Sequence, residues 1–64
     1  MSQAALRKQL ISAINDIGLK ATAISKKTGI LQSDISLFKN GKIELCLSDF
    51  EKLRSFLDSF KAFY

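Results

Sequence analysis

Apolar residues recur along this chain at steps of three and four positions, and no stretch sustains the alternation of a β-strand. Ser2 offers a side-chain acceptor ahead of the first such run, and Gly18 follows its last member. We therefore predict a first helix from the N-cap Ser2 to about Ile17. Its apolar face comprises Leu6, Leu10, Ala13, Ile14 and Ile17.

Three glycines, in a chain without proline, punctuate the pattern at positions 18, 29 and 41. They predict a second, short helix from Ala21 to Thr28, with Ile24 and Ser25 facing inward. Lys20 stands at the N-cap of this helix, where it offers no acceptor and places a positive charge against the positive helix end. The start of the second helix therefore departs from the usual pattern.

The third predicted helix, from about Gln32 to Asn40, has two distinct sides. At about 100° per residue, one side carries Leu31, Ile35 and Phe38. The opposite side is polar except for one leucine, and presents Ser33, Ser36, Leu37 and Asn40, with Gln32 on its flank at the helix entry.

The fourth helix is predicted from a capping box, with Ser48 as N-cap and Glu51 three positions later. Residues 43–47 then form a loop. One apolar stripe on this helix comprises Phe50, Leu53, Leu57, Phe60 and Tyr64, and a second stripe comprises Phe56 and Phe63.

These elements predict an all-α fold, a compact bundle of four helices, with a fifth as an open alternative, in one domain over residues 1–64. At 64 residues a chain buries only about 60% of its unfolded surface. The predicted core is Leu6, Leu10, Ile14, Ile17, Ile24, Ile30, Ile35, Phe38, Phe50, Leu53 and Leu57.

The charge of the chain is unevenly placed. Residues 1–19 carry +1 and residues 43–64 carry −1, whereas residues 20–42 carry +4. That middle segment contains one acidic residue, Asp34, and five lysines: Lys20, Lys26, Lys27, Lys39 and Lys42. Such a concentration of lysine indicates contact with a polyanion, and a merely solvated face is the alternative.

The residue inventory limits the chemistry. With one cysteine, Cys46, and no histidine, the chain can form neither an internal disulfide nor a zinc site built from cysteine and histidine. No nucleophile and base pair or glycine-rich phosphate loop suggests an enzyme, and we expect no cofactor or metal. No run approaches the roughly 18 to 20 apolar residues of a membrane span, so we expect a soluble cytosolic protein that is not exported.

Between Ala21 and Gly41 the chain places a small residue, Ser25, then Gly29 and the aliphatic Ile30, and another aliphatic residue, Ile35, five positions later. This spacing resembles that of the helix-turn-helix of the phage lambda repressor and Cro family. Gln32 and Ser33 match the pair that opens the recognition helix, and Asn40 with Gly41 matches the repressor's ending of that helix. The segments 45–48 and 52–53 extend the similarity to small phage, plasmid and bacterial regulators.

This resemblance implies a lambda-repressor-like domain with its motif at about 21–41. It implies a sequence-specific double-stranded DNA-binding regulator, a Cro-like repressor that reads a palindromic operator through the major groove. Its setting is the bacterial cytosol or nucleoid, or the host cytosol for a phage protein.

The candidate base readers lie on the polar side of the third helix. Gln32 can pair with adenine N6 and N7, and Ser33 and Ser36 can bond to bases, with capping by Ser33 as the alternative. Leu37 can pack on a thymine methyl. Asp34 can accept a hydrogen bond from cytosine N4. The alternative, which we favour, is that its negative charge only stabilises the positive N-terminus of the helix.

The candidate phosphate contacts are Lys20, Thr22, Lys26, Lys27, Lys39, Asn40 and Lys42. The last three follow or end the recognition helix, where the resemblance implies a phosphate contact for Asn40. Family members often begin the motif with serine or threonine followed by glutamine, whereas this chain has Lys20 and Ala21. Lys20 and Thr22 are candidates to replace that phosphate contact.

The aromatic end of the chain predicts a homodimer, with an interface of Phe56, Phe60, Phe63 and Tyr64. Two alternatives are that this end folds over its own core or that the native chain is longer. A DNA-binding antitoxin or restriction controller with a protein partner, and an interaction module without DNA binding, remain alternative functions. A membrane-surface role is disfavoured because the lysines surround the presumed recognition helix.

Overall fold

The computed structural model describes the backbone of residues 2–61 and the side chains of residues 2–59. Within these residues the fold is all-α, with no strand, as predicted. Its elements are α1 (Gln3–Ser12), which continues into a π-helical turn (Ala13–Ile17), then α2 (Ala21–Thr28), α3 (Gln32–Lys39) and α4 (Leu47–Lys61).

The helices enclose one apolar core. α1 packs against α3 and α4, and α2 packs against the same two helices. The buried side chains are Leu6, Leu10, Ala13, Ile24, Ile30, Ile35, Phe38, Leu45, Leu53 and Leu57. Ile14 and Phe50, both predicted for the core, are half-buried and pack against it.

The start of α1 is confirmed and its end differs from a regular helix. Ser2 is the N-cap, and its Oγ accepts the Ala5 N–H at 3.1 Å. At the other end the Gly18 N–H donates to the Ala13 carbonyl, five residues back, and Gly18 closes the helix with φ 83°. Because this wider turn shifts the helical register, Ile17 is 38% exposed, and its assignment to the core is wrong.

The loop between α3 and α4 is shorter than predicted. The Phe50 N–H donates to the Cys46 carbonyl at 2.8 Å, which starts the helical pattern before Ser48. Helix α4 therefore begins at Leu47, and the assignment of Ser48 as N-cap of a capping box is wrong. Helix α3 likewise ends at Lys39, with Asn40 as its C-cap.

A side-chain amide attaches this loop to the first helix. Gln3 donates from Nε2 to the Leu45 carbonyl at 3.1 Å and accepts the Leu45 N–H on Oε1 at 3.2 Å. Because both backbone groups of Leu45 are satisfied, its side chain can be buried in the core although the segment is not helical.

Among the described helices, none has both the length and the apolar composition needed to cross a membrane.

Candidate nucleic-acid interface

A three-residue turn joins α2 to α3, and side chains of α2 hold it in place. Gly29 has φ 78°, and its N–H donates to the Ser25 carbonyl at 2.8 Å. The Ser25 hydroxyl donates to the Ile30 carbonyl at 2.5 Å, while the Thr28 hydroxyl accepts the Ile30 N–H at 3.3 Å. With Ile30 buried, these bonds fix the direction in which α3 leaves the turn.

We predict that Gly29→Ala destabilises the domain by about 1–2 kcal/mol, the cost of a left-handed conformation for a residue with a Cβ. A Cβ at this position meets no atom within 4 Å, so the loss comes from the backbone alone. Urea denaturation measures it, and Gly29→Asn should lose less because asparagine tolerates this conformation. A neutral alanine variant would contradict the positive φ at this turn.

Helix α3 buries one face and exposes the other. Ile35 and Phe38 are fully buried. Four of the residues predicted to read bases are exposed: Gln32, Ser33, Ser36 and Leu37. Leu31 was predicted to share the face of Ile35, but it precedes the helix as N-cap and is 67% exposed.

The N-terminus of α3 has no side-chain cap. Its N-cap Leu31 has no side-chain acceptor, and Ser33 is the second residue of the helix, so the alternative of capping by Ser33 is wrong. Asp34 lies in the first turn and is half-buried. There its negative charge faces the positive end of the helix, the interpretation favoured for it from sequence.

The C-terminus of α3 is closed by a Schellman motif. The Lys42 N–H donates to the Leu37 carbonyl at 2.8 Å, and the Gly41 N–H donates to the Phe38 carbonyl at 3.1 Å. Gly41 takes the left-handed conformation that this motif requires, with φ 75°. The motif fixes the backbone that carries the exposed residues Asn40 and Lys42.

Arg7, on α1, holds the same end of α3 and was not predicted to do so. Its Nε donates to the Phe38 carbonyl at 2.6 Å, and its Nη2 donates to the Ile43 carbonyl at 3.3 Å. The sequence does not predict this role for Arg7, because no local pattern indicates which distant carbonyls an arginine reaches.

The phosphate candidates on α2 fall at its two ends. Lys20 and Thr22 are exposed at the start of the helix, where Lys20 provides no side-chain cap. Lys26 and Lys27 are exposed about 10 Å farther along the axis, at 1.5 Å per residue. At the end of α3, Lys39 is half-buried and Lys42 exposed.

Lys27 also lines an open groove between the end of α2 and helix α4, together with Thr28, Leu47, Glu51 and Phe56. Leu47 is 73% exposed. Phe56, a predicted interface residue, is half-buried and packs against the core, so it offers less free surface than predicted. The side chain of Phe60, and Phe63 and Tyr64, lie outside the described residues.

Within the described part of the chain, no group of three or more His, Cys, Asp or Glu side chains is placed to hold a metal ion.

Comparison of the chain with protein-family models, with curated proteins and with solved structures finds no match.

Proposed function

We propose that this chain is a sequence-specific double-stranded DNA-binding regulator that places α3 in the major groove. The observation that carries the proposal is the division of α3 into a fully buried face and an exposed face of hydrogen-bonding side chains. A short helix held at both ends and presenting such a face suits the reading of base edges. The resemblance to the lambda repressor and Cro family points to the same use of this helix.

The candidate base-reading side chains differ in the base groups that they can contact. Gln32, in the first turn of α3, can form paired hydrogen bonds to adenine N6 and N7. Ser33 and Ser36 donate to or accept from neighbouring bases, and Leu37, 41% exposed, packs on a thymine methyl. Since none of these side chains is arginine or lysine, this face lacks the residues that most often read guanine.

Phosphate contacts hold the protein in register on the duplex. At the start of α2, Lys20 supplies a positive charge beside first-turn amides that have no side-chain cap, which favours an anion there. Lys39, Asn40 and Lys42 form a second group at the end of α3. These contacts add affinity without selecting a sequence.

The biological role follows from binding alone. Two copies of the chain bind the half-sites of a palindrome, about one helical turn apart, and repress transcription by occupying the operator. No catalytic step or cofactor is part of this proposal. The setting is the bacterial cytosol or nucleoid, or the host cytosol for a phage protein.

Selection from a random duplex library at about 150 mM salt tests the proposal, with the wild type and a Gln32→Ala, Ser33→Ala double variant. We expect the wild type to enrich a palindrome. The variant should lose preference at particular bases, since each good paired contact is worth about 1–3 kcal/mol, and should keep salt-sensitive binding. Both substitutions are at exposed positions, so the fold should be unaffected.

Failure of the wild type to enrich any sequence would contradict the proposal. A variant that enriches the same palindrome with the same base preferences would instead remove Gln32 and Ser33 from the readout. Sedimentation of the wild type as a monomer, both free and on the selected duplex, would contradict the binding of two chains to one palindrome.

A second candidate is a DNA-binding antitoxin or restriction controller that also holds a protein partner. The observation that favours it is Leu47, exposed beside the groove between α2 and α4. An isolated exposed leucine is common, but one that borders a groove is a candidate contact for a partner. If the Leu47→Ser variant binds DNA as the wild type does and also keeps the cellular activity that depends on the protein partner, this candidate is excluded.

A further inference from the structure

We propose that Arg7 is a positioning residue for α3: from α1 it fixes the end of the recognition helix and the following loop, without contacting DNA. This inference rests on the proposed function of α3. It adds a residue outside the helix-turn-helix on which operator affinity depends.

The guanidinium of Arg7 joins two backbone segments that are five residues apart. Nε donates to the Phe38 carbonyl in the last turn of α3 at 2.6 Å, and Nη2 donates to the Ile43 carbonyl in the loop at 3.3 Å. Its Cζ also lies 4.8 Å from the centre of the Phe38 ring. One side chain of α1 therefore contacts both the backbone and the ring of a residue that is fully buried in α3.

The electrostatics of this place suit a cation. The last carbonyls of a helix carry partial negative charge, and a positively charged donor there stabilises the helix end. The Phe38 carbonyl accepts from both Arg7 and the Gly41 N–H, which closes the Schellman motif. A Cβ on Gly41 would lie 4.0 Å from Arg7 Nε, so the guanidinium is packed beside the turn.

Lysine cannot reproduce this arrangement. A lysine ammonium is a compact charge that lacks the planar fork with which Arg7 reaches the two carbonyls while lying over a ring. Arg7→Lys thus keeps the charge and removes the geometry, whereas Arg7→Met removes both and keeps an unbranched apolar chain. The two variants separate the contribution of charge from that of position.

A matched control lies two residues along the same helix. Gln9 donates from Nε2 to Asp58 Oδ1 at 2.9 Å and so connects α1 to α4. Gln9→Ala removes a long-range hydrogen bond from α1 that does not involve α3. It should leave the recognition helix and the binding of DNA unchanged.

The first measurement is hydrogen exchange in the free protein, under conditions where every variant is folded. In Arg7→Lys and Arg7→Met, the amides of Gly41 and Lys42 should exchange about tenfold faster, because the end of α3 opens more readily. The amides of α4 should be unaffected. In Gln9→Ala, Gly41 and Lys42 should keep the wild-type exchange rates.

The second measurement is affinity for the selected duplex as a function of salt. Both Arg7 variants should bind about tenfold more weakly, the equivalent of 1.4 kcal/mol. Their slope of log affinity against log salt should equal that of the wild type, because counterions are released by phosphate contacts and Arg7 makes none. Gln9→Ala should match the wild type in both affinity and slope.

The outcomes are distinguishable. Unchanged exchange at Gly41 and Lys42 would show that Arg7 does not hold the end of α3, whatever the DNA result. A slope reduced by about 0.9 in Arg7→Met would make Arg7 a phosphate contact and overturn the positioning role. Faster exchange in a protein whose wild type selects no duplex would instead contradict the proposed function, and leave Arg7 as a residue that only holds the helix end.

Discussion

Phe38→Ala should leave a large part of the population unfolded at room temperature. Phe38 is fully buried between the helices, and truncation of a buried phenylalanine to alanine costs about 3–5 kcal/mol. Natural domains are stable by about 0.05–0.15 kcal/mol per residue, which for a chain of this length is roughly 3–10 kcal/mol. A chain of this length buries only about 60% of its unfolded surface, which places it toward the lower end of that range. There the loss is comparable to the whole stability of the domain, and the variant also removes the ring beneath Arg7.

Circular dichroism during urea denaturation measures this effect. Leu37→Ala is the matched control, because it truncates the neighbouring residue of the same helix on its exposed side. There the expected loss is about 0.5 kcal/mol, as for most surface substitutions. Equal losses in the two variants would mean that Leu37 is as buried as Phe38, and the exposed face of α3 would be wrong.

The helices of the candidate site were predictable because local signals and tertiary packing agree there. Helix α2 has the predicted bounds, Ala21–Thr28, since Gly29 ends it in the left-handed conformation. Ser2 caps α1 as its sequence position indicates. The division of α3 into buried and exposed sides follows from helical periodicity alone, so the exposure of Gln32, Ser33, Ser36 and Leu37 could be predicted without a structure.

The errors fall where the backbone departs from a regular period. The π-helical turn at Ala13–Ile17 is wider than a regular helical turn, and no residue pattern predicts it. Because of this turn, Ile17 lies outside the core. Helical periodicity predicts Leu31 on the buried face of the third helix. Leu31 precedes that helix, however, so the helical period does not apply to it. Ser48 and Glu51 have the spacing of a capping box, but α4 has already begun at Leu47.

Long-range hydrogen bonds were beyond the reach of the sequence for a different reason. Gln3 binds Leu45, and Arg7 binds Phe38 and Ile43, through contacts 31 to 42 residues apart along the chain. Each joins a side chain to a backbone group, so neither partner leaves a complementary residue in the sequence. These bonds nonetheless decide how the loop after α3 is held.

The positions of the lysines allow a sharper prediction than their number. Affinity for the selected duplex should fall steeply with salt, but with the slope expected for three lysines per chain, not five. Lys20, Lys39 and Lys42 lie at the start of α2 and the end of α3, whereas Lys26 and Lys27 lie at the other end of α2. Three phosphate contacts give a slope of about −2.7 per chain, which is roughly 40-fold weaker binding for each bound chain between 50 and 200 mM salt.

Single substitutions by methionine identify which lysines contribute to this slope. Lys42→Met should reduce its magnitude by about 0.9, and Lys27→Met, the matched control, should leave it unchanged. Lys27 lines the groove between α2 and α4 with Glu51, and none of the proposed readers lines that groove. A slope near −4.5 per chain, with Lys27→Met losing as much as Lys42→Met, would mean that DNA spans the full length of α2 and that all five lysines contact phosphates.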